Sequence, residues 1–143
     1  MIAYRTVSDT ATIGEVGVRV RVFLEQLKYA DTLVYSAELV ISEAMTNVMY
    51  HGFKMVKPDV LSLAVLAFQN AVIILIDDTG SQIPPPVLAG IRSNMDYLDG
   101  LSVSELPEGG MELTFIRMAA ERFHYNTQEG VNHLELLLLN PTE

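Results

Sequence analysis

Glu43, Asn47 and His51 stand four residues apart in the stretch ELVISEAMTNVMYHG, Glu38 to Gly52. The stretch has the length and apolar content of a helix. A helix turns once in ~3.6 residues, so residues four apart stack on one face. The three form a polar stripe with Ser36 and Tyr50 close by, while Val40, Ile41, Ala44, Met45, Val48 and Met49 occupy the other faces. Solvated helix faces usually mix Lys with Glu. This stripe holds a carboxylate, an amide and an imidazole and no cation. Such a set can accept a proton, hold a metal-bound phosphate and donate a hydrogen bond. Taken alone, the same stripe also fits a helix whose apolar face simply runs out.

Two further places interrupt apolar elements. Asp78-Thr79-Gly80 follows the run AVIILI, and Gly109-Gly110 precedes a helical pattern. A carboxylate at a strand end can accept from an amino group such as the exocyclic amine of adenine, and a glycine lets the backbone approach a ring. A glycine pair before a helix presents free N–H groups and a positive dipole end to phosphate. Asn47 can ligate a Mg²⁺ whose other ligands are phosphate oxygens and waters. Glu43, one turn earlier, can take a proton from an attacking hydroxyl. Singly, D-x-G is a common turn and a glycine pair a common loop end; their conjunction in this order is far more restrictive.

The elements that position these residues read off the periodicity. Ile2 to Val7 is a short strand. Ser8, Asp9, Thr10 or a Thr12/Glu15 capping box opens a first helix that ends near Lys28, with Ile13, Val16, Val20, Phe23, Leu24 and Leu27 at helical spacing. Asp31 or Thr32 caps the second helix, and Gly52 is its expected C-cap. Val60 to Phe68 and Ala71 to Ile76 are strands joined by a tight Gln69-Asn70 hairpin. Ser81 to Gly110 has weak periodicity, with Asn94 to Gly109 expected as a lid loop. A third helix, Met111 to Glu121, precedes strands Phe123 to Thr127 and Val131 to Leu139. The order predicts an α+β fold: a two-layer sandwich, with a mixed, mostly antiparallel sheet and helices on one face.

The 143 residues fit a single domain, 1–143, with one sizeable core, and half of them are hydrophobic. No apolar run approaches the ~20 residues of a membrane span, the N-terminus lacks a secretory pattern, and there is no cysteine. The cytoplasm is the expected location. A net charge of −9 opposes nucleic-acid binding, which depends on Lys and Arg, and suits a partner with a basic patch. His51, His124 and His133 do not have the spacing of a metal-ligand set.

E-x-x-x-N on a helix, then D-x-G after a strand, then a glycine box opening a helix, resembles the GHKL ATPases. The match is closest to the small anti-sigma-factor serine kinases of the RsbW/SpoIIAB type. ELVISEAMTNVMYHGF resembles their E-x-x-x-N-x-x-x-H-G helix, DDTGSQIPPP their D-x-G segment, and LPEGGMELTFIRMAAERFHYNTQEGVNHLELLLL their glycine box, helix and final hairpin. The resemblance implies a histidine-kinase-like ATPase (Bergerat) fold that uses ATP and Mg²⁺. It implies Glu43 as general base, Asn47 as Mg²⁺ ligand, and Asp78 with Gly80 at the adenine. It places Gly109 and Gly110 at the phosphates, and His51 and Asn132 also among the nucleotide-binding residues. It further implies transfer of phosphate to a serine of a STAS-domain antagonist, sequestration of a sigma factor, and often a homodimer.

One departure bears on activity. The family's second box glycine is replaced here by Glu112, in Gly110-Met111-Glu112. A carboxylate ~4 Å from a phosphate costs roughly 1–4 kcal/mol, or about one to three decades in affinity. Arg92 is the only basic residue between Gly80 and Gly110. The sequence therefore leaves two readings open: a working kinase, or a binding module of the same fold that acts by sequestration alone.

Overall fold

The computed structural model describes residues 2–7, 10–48, 60–83, 116 and 119–141. Strands β1 (Ile2–Val7), β2 (Val60–Ala67), β3 (Ala71–Asp78), β4 (Arg122–Gln128) and β5 (Val131–Leu139) form one sheet in the order β1-β2-β3-β5-β4. Every pairing among them is antiparallel. Two helices, α1 (Thr10–Gln26) and α2 (Asp31–Asn47), pack together. The architecture is the expected α+β sandwich.

Strand alternation decides which face the helices cover. Along β3 every second residue is buried, namely Val72, Ile74, Ile76 and Asp78. The same face carries Leu61, Leu63 and Val65 of β2 and Asn132, Leu134, Leu136 and Leu138 of β5, all buried. Against it α1 sets Ile13, Val16, Val20 and Leu24, and α2 sets Leu33, Val34, Ala37, Val40, Ile41, Ala44 and Met45. β3 was apolar at every position from Ala71 to Ile76 because it lies at the centre of the sheet. On its other face Ile73 and Leu75 are half-buried, beside Leu66 and Leu137.

The hairpins form where expected. Phe68 N–H donates to Ala71 O at 2.8 Å around Gln69-Asn70. The last hairpin turns on Glu129 (φ 52°) and Gly130 (φ 79°), the pair of positive φ angles that a two-residue turn of this twist requires. β3 continues two residues past the expected Ile76. Asp77 and Asp78 stay in the ladder because Ser62 and Leu61 pair with them on one side and His133 and Asn132 on the other. Neighbouring strands override the low strand propensity of Asp.

The start of α2 differs from expectation. Its N-cap residue is Ala30, with no side-chain cap, rather than Asp31 or Thr32. The Ala30 N–H is satisfied instead by Asn140 Oδ1 at 3.1 Å, and the Tyr29 hydroxyl donates to Phe68 O. Asp31 sits in the first turn, where its charge favours the helix dipole. α1 ends just before Lys28, whose φ of 67° turns the chain tightly into α2. Of the expected third helix, Ile116 and Ala119 are described as helical, but Ala120 and Glu121 are not. The Glu121 N–H has left the helix to donate to Leu137 O at 2.7 Å, which feeds the chain into β4.

Candidate functional site

Asp78 and Asn132 are the polar residues buried among the described ones, 7% and 1% exposed, in an otherwise apolar core. They face each other across the ladder at the end of β3 and the start of β5. A carboxylate carried into a core costs several kcal/mol unless it is hydrogen-bonded, and here it is. Asn132 Nδ2 donates to Asp78 Oδ1 at 2.9 Å and to Gly80 O at 2.9 Å, with Ser81 O at 3.4 Å. Gly80 N–H donates to the same Asp78 Oδ1 at 2.9 Å, closing a turn of the type Asp favours. Thr127 Oγ1 donates to Asn132 Oδ1 at 2.7 Å, which fixes which way the amide faces. The Asp78-x-Gly80 motif is thus a carboxylate and a loop clamped in one geometry from β5 and β4.

Tyr125, two residues before Thr127 on the same face of β4, extends the clamp. Its phenol oxygen accepts from Ile83 N–H at 2.8 Å and so ties down the chain leaving Gly80. Burial pushes the Tyr125 pKa above its ordinary 10.0; the negative charge of Asp78 acts in the same sense, while the bonds to Ile83 and Thr127 oppose it. Thr127 and Tyr125 belong to no local motif of the sequence. The signal was present in the turn at Glu129-Gly130, whose register places Thr127 opposite Asn132 and Tyr125 opposite Leu134.

Glu43 and Asn47 occupy the last turns of α2, half-buried, beside the buried Ala44 and Met45. The helix does not turn aside after Asn47: Val48 keeps helical angles and its N–H reaches both Ala44 O and Met45 O. α2 begins beside Asn140, at the far end of β5, and packs on that strand. Its 17 residues span ~25 Å, close to the length of β5. The end that carries Glu43 and Asn47 therefore lies toward the Asp78–Asn132 end of the sheet. His51, Gly109, Gly110, Glu112, the Gly52 cap and the loop Asn94 to Gly109 lie outside the described residues. His124 and His133 fall on β4 and β5, and among the described residues no group of three or more His, Asp or Glu side chains is placed to hold a metal alone.

Comparison with known proteins identifies the family. The model of the histidine kinase-like ATPase domain matches residues 6–138. The chain belongs to that family, and the expected resemblance to GHKL ATPases is borne out at this level. By fold the chain is similar to a chain in the crystal structure of the SiaB-SiaC complex from Pseudomonas aeruginosa, with a TM-score of 0.61 and 12% identity. The alignment covers 97% of this chain and 89% of that one. A search of curated proteins by sequence finds no match. No helix of the described residues is long and apolar enough to cross a membrane.

Proposed function

We propose that this protein is a Mg-ATP-dependent serine kinase and anti-sigma factor of a cytoplasmic partner-switching system. It phosphorylates a STAS-domain antagonist and withholds a sigma factor. The observation that carries the reading is the buried Asp78 carboxylate, held by Asn132 and Gly80 at the end of the sheet toward which α2 brings Glu43 and Asn47. Family membership supports nucleotide binding. The fold likeness to a chain crystallised in a two-protein complex is in keeping with a partner-binding role.

The donor set fits the nucleotide. A fixed carboxylate suits the adenine amine, Gly80 leaves room for the ring, and the Asn47 amide suits a hard cation. Asn47 would hold Mg²⁺ together with phosphate oxygens, and Gly109-Gly110 would receive the phosphates. When bound, Mg²⁺-ATP supplies the phosphoryl group and the charge neutralisation its transfer needs. Glu43 takes the proton of the substrate serine hydroxyl, and Asp78 orients the adenine ring.

The test is calorimetric titration with ATP and ADP, with and without Mg²⁺, followed by transfer of labelled phosphate to a cognate STAS protein. Micromolar binding that requires Mg²⁺ and is lost in Asn47→Ala, with transfer abolished in Glu43→Ala, is the expected result. Glu112 favours a second reading, a module that sequesters its partner without turnover. Partner binding indifferent to nucleotide and to Asn47→Ala would select that reading.

A further inference from the structure

Residues 80–83 leave the sheet after β3 and form neither helix nor strand. Ser81 and Gln82 are exposed, so little apolar burial holds this stretch down. Side chains from three strands hold its main chain instead. Asp78 Oδ1, on β3, accepts from Gly80 N–H at 2.9 Å. Asn132 Nδ2, on β5, donates to Gly80 O at 2.9 Å and to Ser81 O at 3.4 Å. The Tyr125 hydroxyl oxygen, on β4, accepts from Ile83 N–H at 2.8 Å. Ile83 is followed by Pro84-Pro85-Pro86, and proline has no N–H. The Ile83 amide is therefore the last main-chain donor before Val87, and Tyr125 takes it.

We propose that Tyr125 is a positioning residue for the nucleobase: its hydroxyl fixes residues 80–83 as one wall of the base pocket. The assignment rests on the reading that the base lies against Asp78 and Gly80. The role needs no contact between the phenol and the base, because Tyr125 acts through the main chain it holds. Asp78 and Asn132 secure the near end of the wall, at Gly80 and Ser81. Without the Tyr125 hydroxyl, Gln82 and Ile83 regain backbone freedom, and a ligand must order them as it binds. With it, that ordering is made in advance, which is how a preorganised site gains affinity.

The placement on β4 ties the two ends of the wall to one strand. Tyr125 and Thr127 alternate on the same face, opposite Leu134 and Asn132. Thr127 orients the Asn132 amide by donating to its Oδ1 at 2.7 Å, and so governs the near end. Tyr125 holds the far end directly. The half-buried ring packs against the core through its carbon atoms. Tyr125→Phe therefore leaves the core filled and releases only Ile83, so the hydroxyl can be tested apart from the ring.

Calorimetric titration of the wild type, Tyr125→Phe and Asn140→Ala with adenosine and with Mg-ATP tests the role. Asn140→Ala removes the bond to Ala30 N–H beyond the far end of β5, roughly 27 Å along the strand from Asn132. It reports what the loss of one hydrogen bond away from the site does to binding. Tyr125→Phe should bind adenosine and Mg-ATP about 5- to 20-fold more weakly, by the same factor for both and with the Mg²⁺ requirement unchanged. Asn140→Ala should bind both as the wild type does. In amide exchange followed by NMR, Ile83 N–H of Tyr125→Phe should exchange about tenfold faster or more, while Gly80 N–H, still held by Asp78, keeps its wild-type rate. Equal adenosine affinity in the wild type and Tyr125→Phe would overturn the role. So would an equal loss in Asn140→Ala, which marks a general loosening of the fold. A wild type that binds neither adenosine nor Mg-ATP overturns the nucleotide reading and this role with it, and is told apart from the other failures because in those the wild type binds.

Discussion

Asn132 and Asp78 lie 54 positions apart in the chain, yet one amide nitrogen of Asn132 holds both the Asp78 carboxylate and the Gly80 carbonyl two residues on. Both of the amide's polar ends are engaged within the protein, the oxygen by Thr127. The Asn132 amide is thus committed to the Asp78 carboxylate, the Gly80 turn and Thr127.

Asn132→Ala leaves a buried carboxylate and a carbonyl short of a donor and should destabilise the fold by about 1–3 kcal/mol. Thr127→Val removes one hydroxyl at nearly constant volume and should cost about 1 kcal/mol. Because the two residues share one bond, urea melts of the single and double variants should show a non-additive coupling of about 0.5 kcal/mol or more. Additive costs would show that Thr127 does not orient the amide.

Gly14 lies exposed inside α1, and a Cβ built on it meets nothing within 4 Å. Its backbone entropy is then an uncompensated cost. Gly14→Ala should stabilise the protein by about 0.5–1 kcal/mol, read as a rise in thermal midpoint with nucleotide affinity unchanged. A lower midpoint would mean that the position serves a contact other than helix formation.

Tyr125 and Tyr29 both titrate above the ordinary 10.0 because burial disfavours the phenolate. Raised values mean that the folded state keeps these protons more tightly than the unfolded chain. Their contribution is fully present below about pH 10 and is lost as pH rises through the folded values. Denaturant melts from pH 8 to 11 should show stability declining above pH 10, and Tyr125→Phe should flatten part of that slope. The same variant should lose about 1 kcal/mol at pH 8, because Ile83 N–H loses its acceptor.

If Glu112 limits the phosphate site, Glu112→Gly should tighten ATP binding by about 10- to 1000-fold while changing adenosine binding little. Equal calorimetric affinities for ATP in the two proteins would place the carboxylate away from the phosphates.

Much of this arrangement was legible in the chain. The four-residue spacing of Glu43 and Asn47, the Asp78-x-Gly80 break after AVIILI and the two tight hairpins are local signals, and local signals survive into the fold. What was not legible depends on partners distant in sequence. Asp31 looked like the cap of α2 because a cap is normally a neighbour; the true acceptor for Ala30 is Asn140. β3 seemed to end at Ile76 because its apolar run ends there, whereas the ladders on both sides hold Asp77 and Asp78 in place. Thr127 and Tyr125 gain their roles only through the register of the last hairpin.

The Asn140–Ala30 bond spans 110 positions, and its consequence is temporal. The N–H of Ala30, the N-cap residue of α2, is not satisfied by Asn140 until the chain has passed the end of β5. The carboxylate of Asp78 likewise waits for Asn132. During synthesis on the ribosome the nascent chain therefore keeps the start of α2 and the Asp78 carboxylate without these partners until the residues through Asn140 have emerged.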